Sequence, residues 1–96
     1  MQTSFKSPHR LDLHITGRVQ GVGFRQYALQ QAQRLGLNGW VRNESDGSVH
    51  LVAEGSIDDL RTLFKAVSGG PRTAHVQNVL AEWEEGTGQF RGFAVR

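Results

Sequence analysis

The pattern of apolar residues predicts an α+β fold: two helices covering one face of a mostly antiparallel sheet, a two-layer α/β sandwich. Three observations carry the prediction. Stretches in which apolar and polar residues alternate have the period of half-buried strands; two stretches carry apolar residues at helical spacing; and their order along the chain is β-α-β-β-α-β with a short final strand.

The first strand runs from Arg10 to Val19, where Leu11, Leu13 and Ile15 alternate with Asp12, His14 and Thr16. Gly17, Gly21 and Gly23 crowd the turn that follows. Phe24, Tyr27, Ala28, Gln31, Ala32 and Leu35 then fall at helical spacing, and Gly36 suits the helix C-terminus. Gly39 to Asn43 is a second strand, Glu44 to Gly47 carries an Asp-Gly turn signal, and Ser48 to Gly55 alternates strictly, which makes a hairpin. Ser56, with Asp59 three residues later, resembles a capping box before the spacing Leu60, Leu63, Phe64, Val67. Gly69, Gly70 and Pro71 end this second helix. Val76 to Glu84 and Phe90 to Arg96 are strand-like and are separated by a turn at Gly86 to Gly88.

This order has a geometric consequence. The first strand, first helix and second strand form a right-handed crossover, so the two strands are parallel and end on one edge of the sheet. With the third strand between them, those ends stand about 9 to 10 Å apart. The turn at Gln20 to Arg25 and the strand end at Asn43 then face a shared space.

Composition narrows the function classes. In 96 residues, 38% apolar, one core can close, burying about 60 to 65% of the unfolded chain's surface. The absence of Cys excludes a disulfide scaffold, a thiolate nucleophile and cysteine-ligated metal sites. No stretch has the apolar length of a membrane helix, and Met1 to His9 is polar and broken by Pro8, which reads as a flexible leader before a domain at 10–96. The pI of 9.7 exaggerates a surplus of only +2. Residues 1–43 hold six cations (Lys6, Arg10, Arg18, Arg25, Arg34, Arg42) against Asp12, a local balance of +5, which places any attraction for an anion in the first half.

Gln20, Gly21, Val22, Gly23, Phe24 and Arg25 join a strand to a helix N-terminus, where N–H groups point outward and the helix dipole favours negative charge. Glycines at 21 and 23 permit conformations in which successive N–H groups converge, and Arg25 adds a planar charged fork suited to phosphate oxygens. The run is no Walker A loop, since no Gly-Lys-Ser/Thr follows, and Gln26 stands where a dinucleotide fingerprint has its third glycine. Asn43 at the facing strand end can accept from and donate to a water but cannot act as a base.

These residues carry a resemblance. Gly17-Arg18-Val19-Gln20-Gly21-Val22-Gly23-Phe24-Arg25 resembles the first signature of the acylphosphatases, and Gly39-Trp40-Val41-Arg42-Asn43, followed by Gly47, Val49 and Gly55, resembles their second. The similarity spans about Arg10 to Arg96. It implies a ferredoxin-like sheet of order 4-1-3-2 with the last strand beside the second. It further implies a hydrolase that splits small acyl phosphates into a carboxylate and orthophosphate without metal or cofactor. The family's phosphate-binding arginine falls on Arg25, its water-orienting asparagine on Asn43, and the phosphate loop on Gln20 to Arg25. A monomeric, cytoplasmic enzyme is the accompanying expectation.

A binding module is the competing function on the same architecture, either a small-anion sensor or an RNA-binding domain. RNA is disfavoured by the small net charge and by the lack of paired exposed aromatics on adjacent strands. A module of a larger carbamoyl-phosphate-handling protein would need further domains. His9, His14, His50 and His75 lack metal-ligand spacing, so no metal site is expected and His14 and His50 read as solvated. Trp40 and Trp83 read as strand and core residues, Asp58 and Asp59 as first-turn acids, and Glu82, Glu84 and Glu85 as a solvated strand end. Arg18 and Arg42 flank the expected site.

Overall fold

The computed structural model describes residues 8–96. Residues 1–7 of the expected leader lie outside this range. The elements are β1 (His9–Arg18), α1 (Phe24–Arg34), β2 (Asn38–Asn43), β3 (Val49–Gly55), α2 (Ile57–Gly69), β4 (His75–Glu85) and β5 (Phe93–Val95). They form one sheet of order β4-β1-β3-β2-β5. β3 is antiparallel to both β1 and β2, so β1 and β2 run parallel with β3 between them, and β5 adds parallel to β2.

Alternation in the sequence becomes a two-sided sheet. Leu11, Leu13 and Ile15 of β1, Val41 of β2 and Val49, Leu51 and Ala53 of β3 are fully buried with Phe24, Ala28 and Ala32 of α1 and Leu60, Leu63 and Val67 of α2. Each large side chain buried this way contributes roughly 1.5–3 kcal/mol. The opposite face carries Asp12, His14, Trp40, Arg42, His50, Val52 and Glu54 and has no helix over it.

Local chemistry fixes the helix ends. Ser56 accepts a 3.2 Å hydrogen bond from the Asp59 N–H at the start of α2, with Asp58 and Asp59 in the first turn. α1 closes with paired bonds from the Gly36 N–H to the Gln33 carbonyl and from the Leu37 N–H to the Ala32 carbonyl, a Schellman motif. The two helices are tied where the Tyr27 hydroxyl donates to the Ala66 carbonyl at 3.0 Å.

Three expectations need correction. The final strand is only Phe93–Val95, because Gly92 spends its N–H on the Asn38 side chain and its carbonyl on the Gly39 N–H before the ladder with β2 begins. Trp83 is 43% exposed rather than in the core, since it lies near the end of edge strand β4, beyond the cover of α2. Trp40 is buried, but on the outer face, with the Arg42 and Arg96 guanidinium groups 4.7 and 4.9 Å from its ring centre.

Candidate active site

The loop between β1 and α1 is shaped first at Gly17. There the pairing of β1 with β4 shifts register, a bulge, and a Cβ at position 17 would collide with the His75 carbonyl. Further on, Gly21 and Gly23 adopt φ of 74° and 80°, left-handed values that L side chains resist. Space around both is open, so backbone conformation and not crowding requires glycine there.

The two helix N-termini differ in a way that bears on ligands. α2 has a serine cap and two acids in its first turn, so its positive end is neutralised from within the chain. α1 has Gly23 as its cap, no side-chain cap bond and no acid in its first turn, where Arg25 stands instead. Its first N–H groups have no helical acceptor. They are left for an acceptor outside the helix, and the helix dipole together with Arg25 favours a negative one.

Those groups open onto a cavity of about 210 Å³ lined by Val19, Gly21, Gly23, Phe24, Arg25, Gln26, Asn43 and Val95. Arg25 and Asn43, 18 residues apart in sequence, thus meet on one hollow. Val49 explains how: it pairs with Ile15 of β1 on one side and with Asn43 of β2 on the other. Asn43 shares the helix-facing side of β2 with Val41, and its Oδ1 is buried without a hydrogen-bond partner among the described residues. A buried amide oxygen left unpaired costs about 1–3 kcal/mol. A second, larger cavity of about 460 Å³ lies between His9, Ile57, Arg61, Trp83, Glu84 and Glu85, at the far end of β1. It has neither the loop nor a buried unpaired polar group.

Several supporting contacts were not visible in the sequence. The Gln20 side chain donates to the Glu44 and Ser48 carbonyls at 2.7 and 2.9 Å, fastening the loop to the β2–β3 hairpin just beyond Asn43. The Thr73 hydroxyl donates to the Val22 carbonyl at 2.6 Å, fastening the loop to the connection between α2 and β4. One nitrogen of Arg25 donates to the Arg96 carbonyl at 3.2 Å, and the Arg96 N–H is in turn held by the Val41 carbonyl. The contact that orients Arg25 therefore comes from Arg96, the residue that follows β5.

The cationic surplus of the first half does not converge on the cavity. Arg42 lies on the outer face, 2.8 Å from Glu44 and over Trp40, and Arg10 is placed among Asp12, Glu54 and Glu84. Arg18 is exposed and is not part of the lining. Among the described residues, Arg25 is the one cation that lines the hollow. The Arg42 hydrogen bond, with the His50 ring behind it, holds the Glu44 carboxyl below its ordinary value of 4.5.

Nor is His50 solvated. Only 15% exposed, it stacks on His14 at 4.1 Å, meets the edge of Trp40 at 4.8 Å and touches Asp12 and Glu44. His14 is half-exposed, as expected. The β1–β3 register sets His14 opposite His50 and so assembles Asp12, His14 and His50, a group that spacing in the sequence could not reveal.

A two-layer sandwich whose open helix N-terminus, arginine and facing asparagine share one hollow defines a class: α/β sandwiches with an anion-favouring hollow at one edge of the sheet. Comparison with known proteins makes the class particular. Residues 11–95 match the family described as Acylphosphatase. An acylphosphatase of Salinibacter ruber is 55% identical over 87 residues, covering 91% of this chain and 92% of that one. Among solved structures, the acylphosphatase from Bacillus subtilis superposes with a TM-score of 0.89 at 31% identity, over 92% of this chain and 98% of its own. That from Coxiella burnetii gives 0.85 at 37%, over 98% and 100%. The chain belongs to the acylphosphatase family, hydrolases that act on acyl phosphates.

Proposed function

We propose that this chain hydrolyses small acyl phosphates to a carboxylate and orthophosphate, with the phosphoryl group held by the N–H groups of Gln20 to Arg25 and by the Arg25 side chain. Asn43 orients the attacking water. The observation that carries the proposal is the asymmetry of the two helix ends: α2 neutralises its own, whereas α1 leaves its N-terminus open and basic beside a buried, unpaired amide.

The chemistry suits so few groups. Phosphoryl transfer passes through a loose transition state with charge spread over the equatorial oxygens, so placement and electrostatic stabilisation supply most of the catalysis. Converging N–H groups and a guanidinium fork do both. The leaving carboxylate has a conjugate-acid pKa near ~4, by analogy with Asp and Glu, and departs without a general acid. A water held on the Asn43 amide, in line behind phosphorus, attacks as if within one molecule. A monomeric enzyme in a cytoplasmic setting belongs to the same proposal.

The test is hydrolysis of benzoyl phosphate by the wild type, Arg25→Ala and Asn43→Ala, with chelator present. Arg25→Ala is expected to raise KM and lower kcat, for a loss of about 10³-fold in kcat/KM, because the fork holds the dianion in ground and transition states alike. Asn43→Ala is expected to lower kcat about 10²-fold with little change in KM. Activity that survives both substitutions would falsify the mechanism. Phosphate or RNA binding without any turnover would instead favour a binding module.

A further inference from the structure

The outer face of the sheet carries a group that the anion site does not use. His50 lies between two carboxylates: its Nδ1 is 3.3 Å from Glu44 Oε2 and its Nε2 is 2.7 Å from Asp12 Oδ1. A neutral imidazole has one N–H to give. In either tautomer one ring nitrogen therefore turns a lone pair toward a carboxylate oxygen, a contact that a cation relieves, and the tautomer with its proton on Nδ1, toward Glu44, presents the Nε2 lone pair beside Asp12. The cation is a second proton or a metal ion.

The His14 ring supplies a further donor to the same place. Stacked on His50, it brings its Nε2 to 3.8 Å from the same Asp12 Oδ1, and one donor atom from each of Asp12, His14 and His50 lies within 4.8 Å of the others. We propose that Asp12, His14 and His50 form a binding site for a first-row divalent cation of the zinc type, clamping β1 to β3 on the face opposite the helices. Two imidazoles and one carboxylate are a donor set that zinc accepts, with water in the fourth position.

The surroundings fit this use. Glu44 behind Nδ1 makes a carboxylate–histidine–metal relay that fixes the tautomer and raises the basicity of Nε2. Arg10, 3.5 Å from Asp12 Oδ2, occupies the other carboxylate oxygen and leaves Oδ1 for the cation. Trp40 packs edge-on against His50 and holds its ring plane. His14, 48% exposed, is free to swing. Bonds of about 2.0–2.1 Å in tetrahedral geometry set donor atoms roughly 3.3 Å apart, so His14 closes in and the His50–Asp12 contact opens. Arg10 and Arg42 oppose a further positive charge, which makes the site one of moderate affinity.

The experiment is calorimetric titration of the untagged protein with Zn²⁺ at pH 7.5, followed by ¹⁵N NMR of the histidine rings. One equivalent should bind with a Kd below about 0.1 mM, with the Nε2 resonances of His14 and His50 moving and those of His9 and His75 unmoved. His14→Ala, an exposed change that leaves the core intact, and His50→Ala should each weaken binding at least 10-fold, and Glu44→Gln about 10-fold. His75→Ala should bind as the wild type does. Absence of saturable binding up to millimolar Zn²⁺, or binding unaffected by His14→Ala, would overturn the proposal.

Discussion

In the proposed site Gly23 and Arg25 act on the same anion by different means, and single substitutions separate them. Alanine at position 23 meets no neighbour, so its whole cost is the left-handed backbone, about 1–2 kcal/mol if the loop keeps its shape. A loop that relaxes to avoid that cost turns its N–H groups away from the hollow. Gly23→Ala is therefore expected to lower the melting temperature by several degrees and to weaken competitive inhibition by orthophosphate, and an unchanged inhibition constant would mean that the loop N–H groups do not hold phosphate. Arg25→Lys keeps the charge but loses both the planar fork and the geometry of the bond to the Arg96 carbonyl. We expect it to recover part of the loss seen in Arg25→Ala and to remain about 10-fold or more below the wild type in kcat/KM. Recovery to wild-type rates would show that charge alone suffices.

Between elements, the loop is held by three side-chain bonds, two to the hairpin through Gln20 and one to the α2–β4 connection through Thr73. Thr73→Val keeps the shape and removes only the donor, at a cost of about 1 kcal/mol. Its effect should fall on KM for benzoyl phosphate more than on kcat, because it loosens the cradle and leaves Asn43 in place. A rise in KM of several-fold measured by steady-state kinetics supports this, and a pure kcat effect contradicts it. These contacts also show which parts of the molecule the sequence discloses. Strand and helix periods report burial of one face, so Leu11-Leu13-Ile15 and Leu60-Leu63-Val67 locate their elements correctly; chain order makes the first two strands parallel, and the order of the sheet follows from the family resemblance. Gln20 to Arg25 and Asn43 were identified from turn chemistry and from family signatures. The partners of Gln20, Thr73 and His50 lie 28, 51 and 38 residues away, positions fixed only by strand register and loop path, which no local pattern encodes. Charge failed for the same reason: the surplus of residues 1–43 is spread over both faces of the sheet once Arg10 and Arg42 find their acids.

At the scale of the molecule, the candidate site is tied through β5 to a buried carboxylate that does not line it. Glu54, 2% exposed on β3, accepts hydrogen bonds from the Thr87 N–H, the Thr87 hydroxyl and the Gly88 N–H at 2.9–3.0 Å, and Arg10 stands 3.8 Å away. It thereby anchors the connection from β4 to β5, and β5 brings Val95 to the cavity and Arg96 to Arg25. Burial alone would raise the Glu54 carboxyl, but the bonds from Thr87 and Gly88 and the charge of Arg10 outweigh it and hold the group below its ordinary 4.5. A carboxyl depressed in the folded state contributes stability that is complete above the unfolded value and is lost as pH falls through the folded one. Glu44, held down by Arg42, and Asp46, held down by the Ser48 hydroxyl and N–H, add in the same sense. The melting temperature should therefore be flat from neutrality down to about pH 5 and drop below it. Glu54→Gln keeps the volume but replaces a charged acceptor, so it should cost about 1–3 kcal/mol at pH 7 and flatten the acid limb. Because β5 loosens with Glu54, KM should rise in this variant while Asn43 and the loop are untouched. An acid limb as steep in Glu54→Gln as in the wild type would assign acid sensitivity to other carboxylates and detach β5 from it.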